Sequence, residues 1–307
     1  MSPFDQSDVA RSILEMLPIG VCVVDTEKRI VVWSDGAERI TGHLRHEVIG
    51  HSCIAEALLH CDQPGCEFCS GECPVARAMK TAQPVHACGF VHHKAGHQVG
   101  VRVRAVVVRN GHGSIIGAVE TFEEAQSARY GQSETFGLPE SLDEVTGLAS
   151  RTMMQLHLLQ AIETFASIQV PFAVLCFRLE QLDHFRASFG PEAASSLLHV
   201  VARTLEGALW KTDFVGRWSD DSFLVILNSC RDDALQSVRE RVQRLVADSS
   251  IAWWGERRSV PVSIGQATMQ TGDTPASLMK RTDQSLNAIS HARARAAGSE
   301  VNPSSGS

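Results

Sequence analysis

The sequence lacks any long apolar run. No segment approaches the roughly 18 to 20 consecutive apolar residues that a membrane-spanning helix needs. An export signal is also missing, because the acidic N-terminal segment MSPFDQSDVARSILEML contains no basic stretch followed by an apolar core. We therefore expect a cytoplasmic protein with no membrane partner.

An excess of basic charge is also lacking. The 28 lysines and arginines are outnumbered by 35 aspartates and glutamates, which gives a net charge of −7. Binding to a nucleic-acid backbone needs a basic surface. The short basic stretch HARARAA near the C-terminus is interpreted as one solvated helix face. No nucleic-acid partner is expected.

The chain is long enough and apolar enough to form two folded domains. Its 307 residues are 44% hydrophobic and 21% charged, a composition typical of globular proteins. A chain of this length can bury two cores of ordinary size.

Cysteine is the most unevenly placed residue. Six of the nine cysteines fall between Cys53 and Cys88, and a cytoplasmic compartment would keep them reduced. Thiolates at such spacing can bind zinc or an iron–sulfur cluster, although a redox-sensing thiol set and simple packing of small buried residues remain alternatives. No Cys-x-x-Cys-His is present, so covalent c-type haem is not supported. The candidate metal ligands are Cys61, Cys66, Cys69 and Cys73, with Cys53 as a further one.

The first 124 residues alternate in an α+β pattern. IGVCVVD and RIVVWSD are predicted strands, GAERITG and RHEVIG short helices, and three more strands follow the cysteine-rich insert at residues 51–75. IGVCVVDTEKRIVVWSDGAERITGHLRHEVIG and GSIIGAVETFEE resemble the beginning and the end of a PAS domain. The resemblance implies a five-stranded antiparallel sheet with short helices, serving as a sensory module.

A polar stretch, residues 125–141, is predicted to be a linker before the second domain, residues 142–297. That domain alternates predicted helices with predicted strands, one of which is the apolar run FAVLCFRL, and this order implies a central sheet flanked by helices. DEVTGLASR, VPVSIGQAT and TDQSLNAI resemble three segments of the GGDEF domain of diguanylate cyclases, and GRWSDDSFLVIL resembles its active-site hairpin. The polar residues 298–307 are expected to form a disordered tail.

The resemblance implies a catalytic site that this chain lacks in part. Diguanylate cyclases join two GTP molecules into cyclic di-GMP with divalent metal held by carboxylates. In the register set by the Phe-Gly pair at 189–190, an arginine replaces the first metal-binding Asp, and only Asp221 of the hairpin acids is retained. Before the hairpin, the inhibitory product site Arg-x-x-Asp of the resembling family reads WKTD here, so Trp210 replaces its arginine. The substituted catalytic positions are Arg178, Arg186, Ala187, Ser195, Ser219, Asp220, Ser222 and Ser290.

A guanidinium cannot ligate Mg²⁺, because it has no free lone pair and stays protonated. The sequence therefore favours a signalling protein in which the PAS domain senses a ligand, redox state or metal and a degenerate GGDEF domain acts as a regulatory or interaction module. The alternatives are a weakly active diguanylate cyclase, which would need Mg²⁺, and a non-catalytic nucleotide receptor. A homodimer and an unidentified signalling protein are the expected partners.

Overall fold

The computed structural model describes residues 16–52, 73–125, 141–210 and 212–299. The chain divides into two compact units, Met1–Ser127 and Ala128–Ser307. The predicted linker, apart from its two end residues, lies outside the described residues, as does the tail from residue 300 onward. Four candidate metal ligands also lie outside them, namely Cys53, Cys61, Cys66 and Cys69.

The first unit is built on one antiparallel sheet of five strands in the order β2-β1-β5-β4-β3. The strands are β1 (Gly20–Asp25), β2 (Ile30–Trp33), β3 (Val85–His92), β4 (Gln98–Arg109) and β5 (Ile115–Glu124). The helices are α1 (Asp35–Thr41), α2 (Arg45–Val48) and α3 (Pro74–Thr81). The predicted five-stranded antiparallel fold with short helices is confirmed.

One face of this sheet is apolar because its strands alternate. In β4, Val101, Val103 and Ala105 are buried while Arg102 and Arg104 between them are exposed. Successive side chains of a strand point to opposite faces, so the valines meet the helices and the arginines meet solvent. The core of the first unit forms between this face and the short helices.

The second unit contains a four-stranded sheet in the order β11-β6-β8-β7 and a two-stranded ribbon, β10-β9. The strands are β6 (Phe172–Leu179), β7 (Phe214–Ser219), β8 (Ser222–Asn228), β9 (Ile251–Trp253), β10 (Glu256–Arg258) and β11 (Val262–Thr268). The helices are α4 (Arg151–Ile168), α5 (Leu182–Phe189), α6 (Pro191–Ala208), α7 (Asp232–Ala247) and α8 (Pro275–Ser299). The predicted central sheet flanked by helices is confirmed.

The two middle strands of that sheet are apolar along almost their whole length. In both β6 and β8 six consecutive residues are buried, as expected for strands covered on both faces. On one face α8 lies very close to β11, where a Cβ at Gly265 would come within 2.4 Å of the Thr282 carbonyl oxygen. Glycine therefore sets how near the final helix approaches the sheet.

Two helices extend into segments that the sequence predictions set apart from the folded domains. Helix α8 continues to Ser299, two residues into the segment predicted to be a disordered tail, because the alanine-rich sequence there favours helix. Helix α3 begins at Pro74, inside the predicted cysteine-rich insert, and proline is well suited to a first helical turn. Within the described ranges, no helix is both long and apolar enough to cross a bilayer.

Candidate functional site

The β7–β8 hairpin holds the remaining predicted catalytic acid. Ser219 pairs with Ser222 across the turn, and Asp220 and Asp221 form the turn itself. Asp220 is exposed, whereas Asp221 is half-buried. The Ser219 hydroxyl donates a hydrogen bond of 2.7 Å to Asp221 Oδ1, so this carboxylate is already partly engaged within the hairpin.

Arg178 lies beside this turn, near the end of β6. It pairs with Ser222 of β8 on one side and with Ser263 of β11 on the other. Directly opposed residues place their side chains on the same face of a sheet, so the arginine lies between two buried serines. Its Nη1 donates to Oδ1 of Asn287 on α8 at 3.2 Å.

The turn and the end of β6 are joined through the backbone. The Leu179 amide donates to the Asp221 carbonyl oxygen at 2.9 Å. The retained carboxylate and the Arg178 guanidinium therefore belong to the same end of the sheet. Within the described residues, Arg178 forms no ion pair with a carboxylate.

A magnesium ion does not fit these side chains. Mg²⁺ prefers a shell of oxygen ligands that includes carboxylates, and here Asp221 supplies one carboxylate at the same end of the sheet as the permanent cation of Arg178. Across the parts of the chain that the structure describes, no three His, Cys, Asp or Glu side chains are grouped so that they could hold a metal ion.

Ser290, which stands at the position of the phosphate-binding lysine of the resembling family, is engaged with the protein itself. Its hydroxyl donates to Glu180 Oε1 at 2.7 Å, which links α8 to the residue after β6. A hydroxyl carries no charge with which to hold a phosphate. This position therefore joins two elements of the fold.

A cavity of about 420 Å³ is lined in part by the hairpin. Its walls come from the loop before α4, the segment from α5 to α6 and the hairpin. Arg186 on α5 and the exposed Ser195 on α6 line it, together with Ser219 and Asp220, and Ala187 is exposed next to Arg186. The predicted positions thus fall into two groups, one in this cavity and one around Arg178.

Arg217 is a further lining residue of the cavity that the sequence reasoning missed. Its guanidinium lies 5.0 Å from the Phe223 ring centre, and its Nη2 donates to the Asp220 carbonyl oxygen. Burial lowers the pKa of Arg217, and the nearby Asp143 counteracts this most strongly. An arginine in the otherwise apolar strand FVGRWS, two residues before the turn, was the available signal.

The structure describes three cysteines of the first unit, and two of them lie in its core or against it. Cys73, just before α3, is half-buried and packs against the core, where Cys22 is fully buried. Burial raises the pKa of the Cys22 thiol far above its ordinary value, and Glu120 and Cys73 raise it further. Cys88 on β3 is half-buried. The proposed zinc or iron–sulfur ligands other than Cys73 lie outside the described residues.

Comparison with known protein families identifies the family to which the chain belongs. The family described as diguanylate cyclase, GGDEF domain, matches residues 140–296, and the PAS fold matches residues 14–129. The chain belongs to the GGDEF family. The predicted order, a PAS domain followed by a GGDEF domain, is confirmed.

Two curated relatives of low identity are diguanylate cyclases. Diguanylate cyclase DgcP of Pseudomonas aeruginosa is 23% identical over 271 residues, which cover 85% of this chain and 40% of that protein. Diguanylate cyclase A of Treponema denticola is 24% identical over 136 residues, 44% of this chain and 36% of the relative. This chain therefore spans well under half the length of these two relatives.

Among solved structures, the chain is similar to the GGDEF domain of DgcB from Caulobacter crescentus in complex with cyclic di-GMP. The TM-score is 0.49 at 18% identity, and the match covers 51% of this chain and 94% of that chain.

Trp210 and Asp213 stand at the positions that the sequence resemblance assigns to the inhibitory product site. Asp213 is only 4% exposed, and its two oxygens accept hydrogen bonds from the backbone amides of Trp210 and Asn228, each at 3.1 Å. Burial raises the pKa of Asp213 to about 6, although these hydrogen bonds act in the opposite direction. Trp210 is 63% exposed. The Asp213 carboxylate is thus held by backbone amides of the GGDEF fold.

Asn287 was also missed in the sequence. It lies on the final helix of the GGDEF domain and contacts Arg178 across 109 residues of sequence. Nothing in the sequence distinguishes it from an ordinary solvated helix asparagine, because the contact depends on how closely α8 packs on β11.

Proposed function

We propose that this PAS–GGDEF protein of the diguanylate cyclase family is a cytoplasmic signalling protein whose GGDEF domain has no cyclase activity. In this proposal the domain acts as a regulatory or interaction module. The observation that carries the proposal is the guanidinium of Arg178 beside the Asp221 turn, at the position of a metal-binding carboxylate.

The physical reason is charge. Nucleotidyl transfer of this kind depends on a metal ion that neutralises the phosphates, and carboxylates hold that metal ion. A fixed positive charge at Arg178 repels a divalent cation. Ser222 offers a neutral oxygen in place of the second hairpin acid, and the exposed Asp220 adds negative charge next to the place where phosphates would lie.

The test is a direct assay of the full chain. Purified protein incubated with GTP and either Mg²⁺ or Mn²⁺ should form no cyclic di-GMP above the level of a reaction without protein. An active diguanylate cyclase assayed in parallel shows that the conditions support the reaction. Accumulation of cyclic di-GMP in proportion to the amount of this protein would refute the proposal and favour a weakly active cyclase.

The input of the proposed protein is its PAS domain, which senses a ligand, redox state or metal. Half-buried Cys73, against the core that contains Cys22, supports a role for thiols in this unit. The output is carried by a homodimer or by another signalling protein that contacts the GGDEF domain. A molar mass of one chain by light scattering at micromolar concentration would refute the homodimer.

The other alternative, a nucleotide receptor without turnover, is favoured by one specific observation. The cavity beside the hairpin is large enough for a small ligand, since pockets that bind small molecules have volumes of about 300 Å³ or more, and this one measures about 420 Å³. The charged side chains that line it are those of Arg151, Arg186 and Arg217 and of Asp143 and Asp220.

A further inference from the structure

The turn between β3 and β4 of the PAS domain carries a pair of stacked histidines. This histidine turn comprises residues 93–97, and the rings of its first and last residues, His93 and His97, are stacked with 4.2 Å between their centres. Histidine is the side chain whose charge ordinarily changes in the physiological pH range. A change of pH can therefore act on the PAS domain at this turn.

The histidine turn is docked on the two short helices α1 and α2. The Lys94 amide donates to the carbonyl oxygen of Thr41, the last residue of α1, at 2.8 Å. The Lys94 ammonium forms an ion pair with Glu47 of α2. The His93 ring lies against the residue that follows α1, because a Cβ added at Gly42 would come within 2.7 Å of His93 Nε2. A backbone hydrogen bond, an ion pair and a ring contact thus hold the turn to the helices.

The hydrogen bonding of His93 fixes which of its ring nitrogens carries the proton. Its Nδ1 accepts a hydrogen bond from the Ala95 amide at 3.0 Å. A backbone amide can only donate, so this nitrogen keeps its lone pair and the proton of the neutral ring lies on Nε2. Protonation of the ring places a second N–H at Nδ1, where it faces the Ala95 N–H. The docked turn is therefore compatible with neutral His93 and opposes its protonation.

The surroundings of His93 act mainly in the same direction. The ring is half-buried, and burial lowers the pKa of His93 below the ordinary value of 6.5. A positive charge on His43, in the loop after α1, lowers this pKa further, whereas Glu124 at the end of β5 raises it. A positive charge on His97 also opposes protonation of His93, because like charges on stacked rings repel each other.

The direction of the pH effect follows from these contacts. A released histidine takes up a proton below about pH 6.5, whereas docked His93 resists protonation to a lower pH. Between these two pH values the released state binds more protons, so docking weakens as the pH falls. The ion pair with α2 does not supply this dependence, because the hydrogen bond from Lys94 lowers the pKa of Glu47 and keeps it ionised.

We propose that the histidine turn is a proton-operated latch of the PAS domain, docked on α1 while His93 is neutral and released when His93 takes up a proton. Release frees the Thr41 carbonyl oxygen and the surface around Gly42, so the change reaches the first helix of the sensory domain. The inference goes beyond the proposed function, because it adds the proton to the inputs of the PAS domain, and it stands whether or not the GGDEF domain is active.

The experiment is hydrogen exchange of the full chain, measured by mass spectrometry at about pH 5.5 and about pH 7.5 and corrected for the intrinsic effect of pH on exchange. Peptides that contain the Lys94 and Ala95 amides should exchange about threefold faster or more at the lower pH, because release of the turn breaks the hydrogen bonds of both amides. His93→Asn keeps an acceptor oxygen near the position of Nδ1 but cannot take up a proton, so in this variant the difference should disappear. His112→Asn is the matched control, because His112 is an exposed histidine of the β4–β5 turn, and it should retain the difference.

Equal protection of the wild-type turn at both pH values would overturn the inference, as would an unchanged pH difference in His93→Asn. Nitrogen NMR of the wild-type ring adds a measurement that needs no variant, and a neutral His93 with its proton on Nδ1 would also contradict the latch. These wild-type results decide the question if His93→Asn does not fold. Cyclic di-GMP formed in the metal-containing assay would refute the proposed function and leave this inference in place.

Discussion

Asp213 shows what burial does to a single residue of this domain. In the folded chain its pKa is about 6, and an unfolded aspartate titrates near its ordinary value, about 4. Between these two values the folded state binds more protons than the unfolded state. The contribution of Asp213 to the free energy of unfolding therefore falls as the pH rises through this window.

We predict that Asp213→Asn removes this pH dependence. The free energy of unfolding of the wild type, relative to that of the variant, should decrease between about pH 4 and pH 7, because only the wild type must bury a carboxylate at the higher pH. Urea denaturation of both proteins at several pH values in this range measures the difference. Parallel pH profiles would show that Asp213 does not titrate as its burial implies.

At the scale of secondary-structure elements, the approach of α8 to the sheet determines the surroundings of Arg178. The helix lies against β11 at Gly265, where an added Cβ would come within 2.6 Å of the Leu286 Cβ. Asn287 follows directly on the same helix and binds Arg178. The position of α8 therefore determines whether Asn287 can bind Arg178, which stands at the substituted metal position.

We predict that Gly265→Ala destabilises the GGDEF domain by about 1 to 3 kcal/mol, the usual cost of adding volume to a packed interior. Gly111→Ala is the matched control, because a Cβ at that turn position would meet nothing within 4 Å. Chemical denaturation of the three proteins gives the comparison. Equal stability of Gly265→Ala and the wild type would mean that α8 is free to move away from β11.

An element could be predicted from the sequence when its pattern of apolar residues was long enough to recognise. The apolar run FAVLCFRL predicted β6 from its first residue to its last. The ribbon of β9 and β10 was not predicted, because strands of three residues are too short to show a period. For the site, the aligned motif singled out Arg178 and Asp221, but the contacts of Asn287 and Arg217 depend on tertiary packing that no local pattern encodes.

At the scale of the whole molecule, the chain combines two units that each have their own core. The PAS core contains Cys22 and is contacted by Cys73, and the remaining candidate ligands precede Cys73 in the sequence. Zinc or an iron–sulfur cluster at these cysteines stays a prediction. Such a metal centre would make the PAS domain respond to the supply of metal or to oxidation.

We predict that the anaerobically purified chain contains bound zinc or iron, and that the double variant Cys69→Ser, Cys73→Ser contains much less, because thiolates are the strongest ligands available in this segment. Elemental analysis and the absorbance spectrum measure this. Cys230→Ser, in the other unit, should leave the metal content unchanged. Equal and negligible metal in the wild type and the double variant would eliminate the metal centre.

The row formed by Ser222, Arg178 and Ser263 across three neighbouring strands has a consequence for engineering the domain. A carboxylate introduced at position 178 would lie between two neutral hydroxyls and near Asn287, with an arginine still at position 186. A single substitution at position 178 therefore leaves Ser222, Arg186 and Ser290 as they are, so several substitutions together are needed to install the side chains of the resembling family.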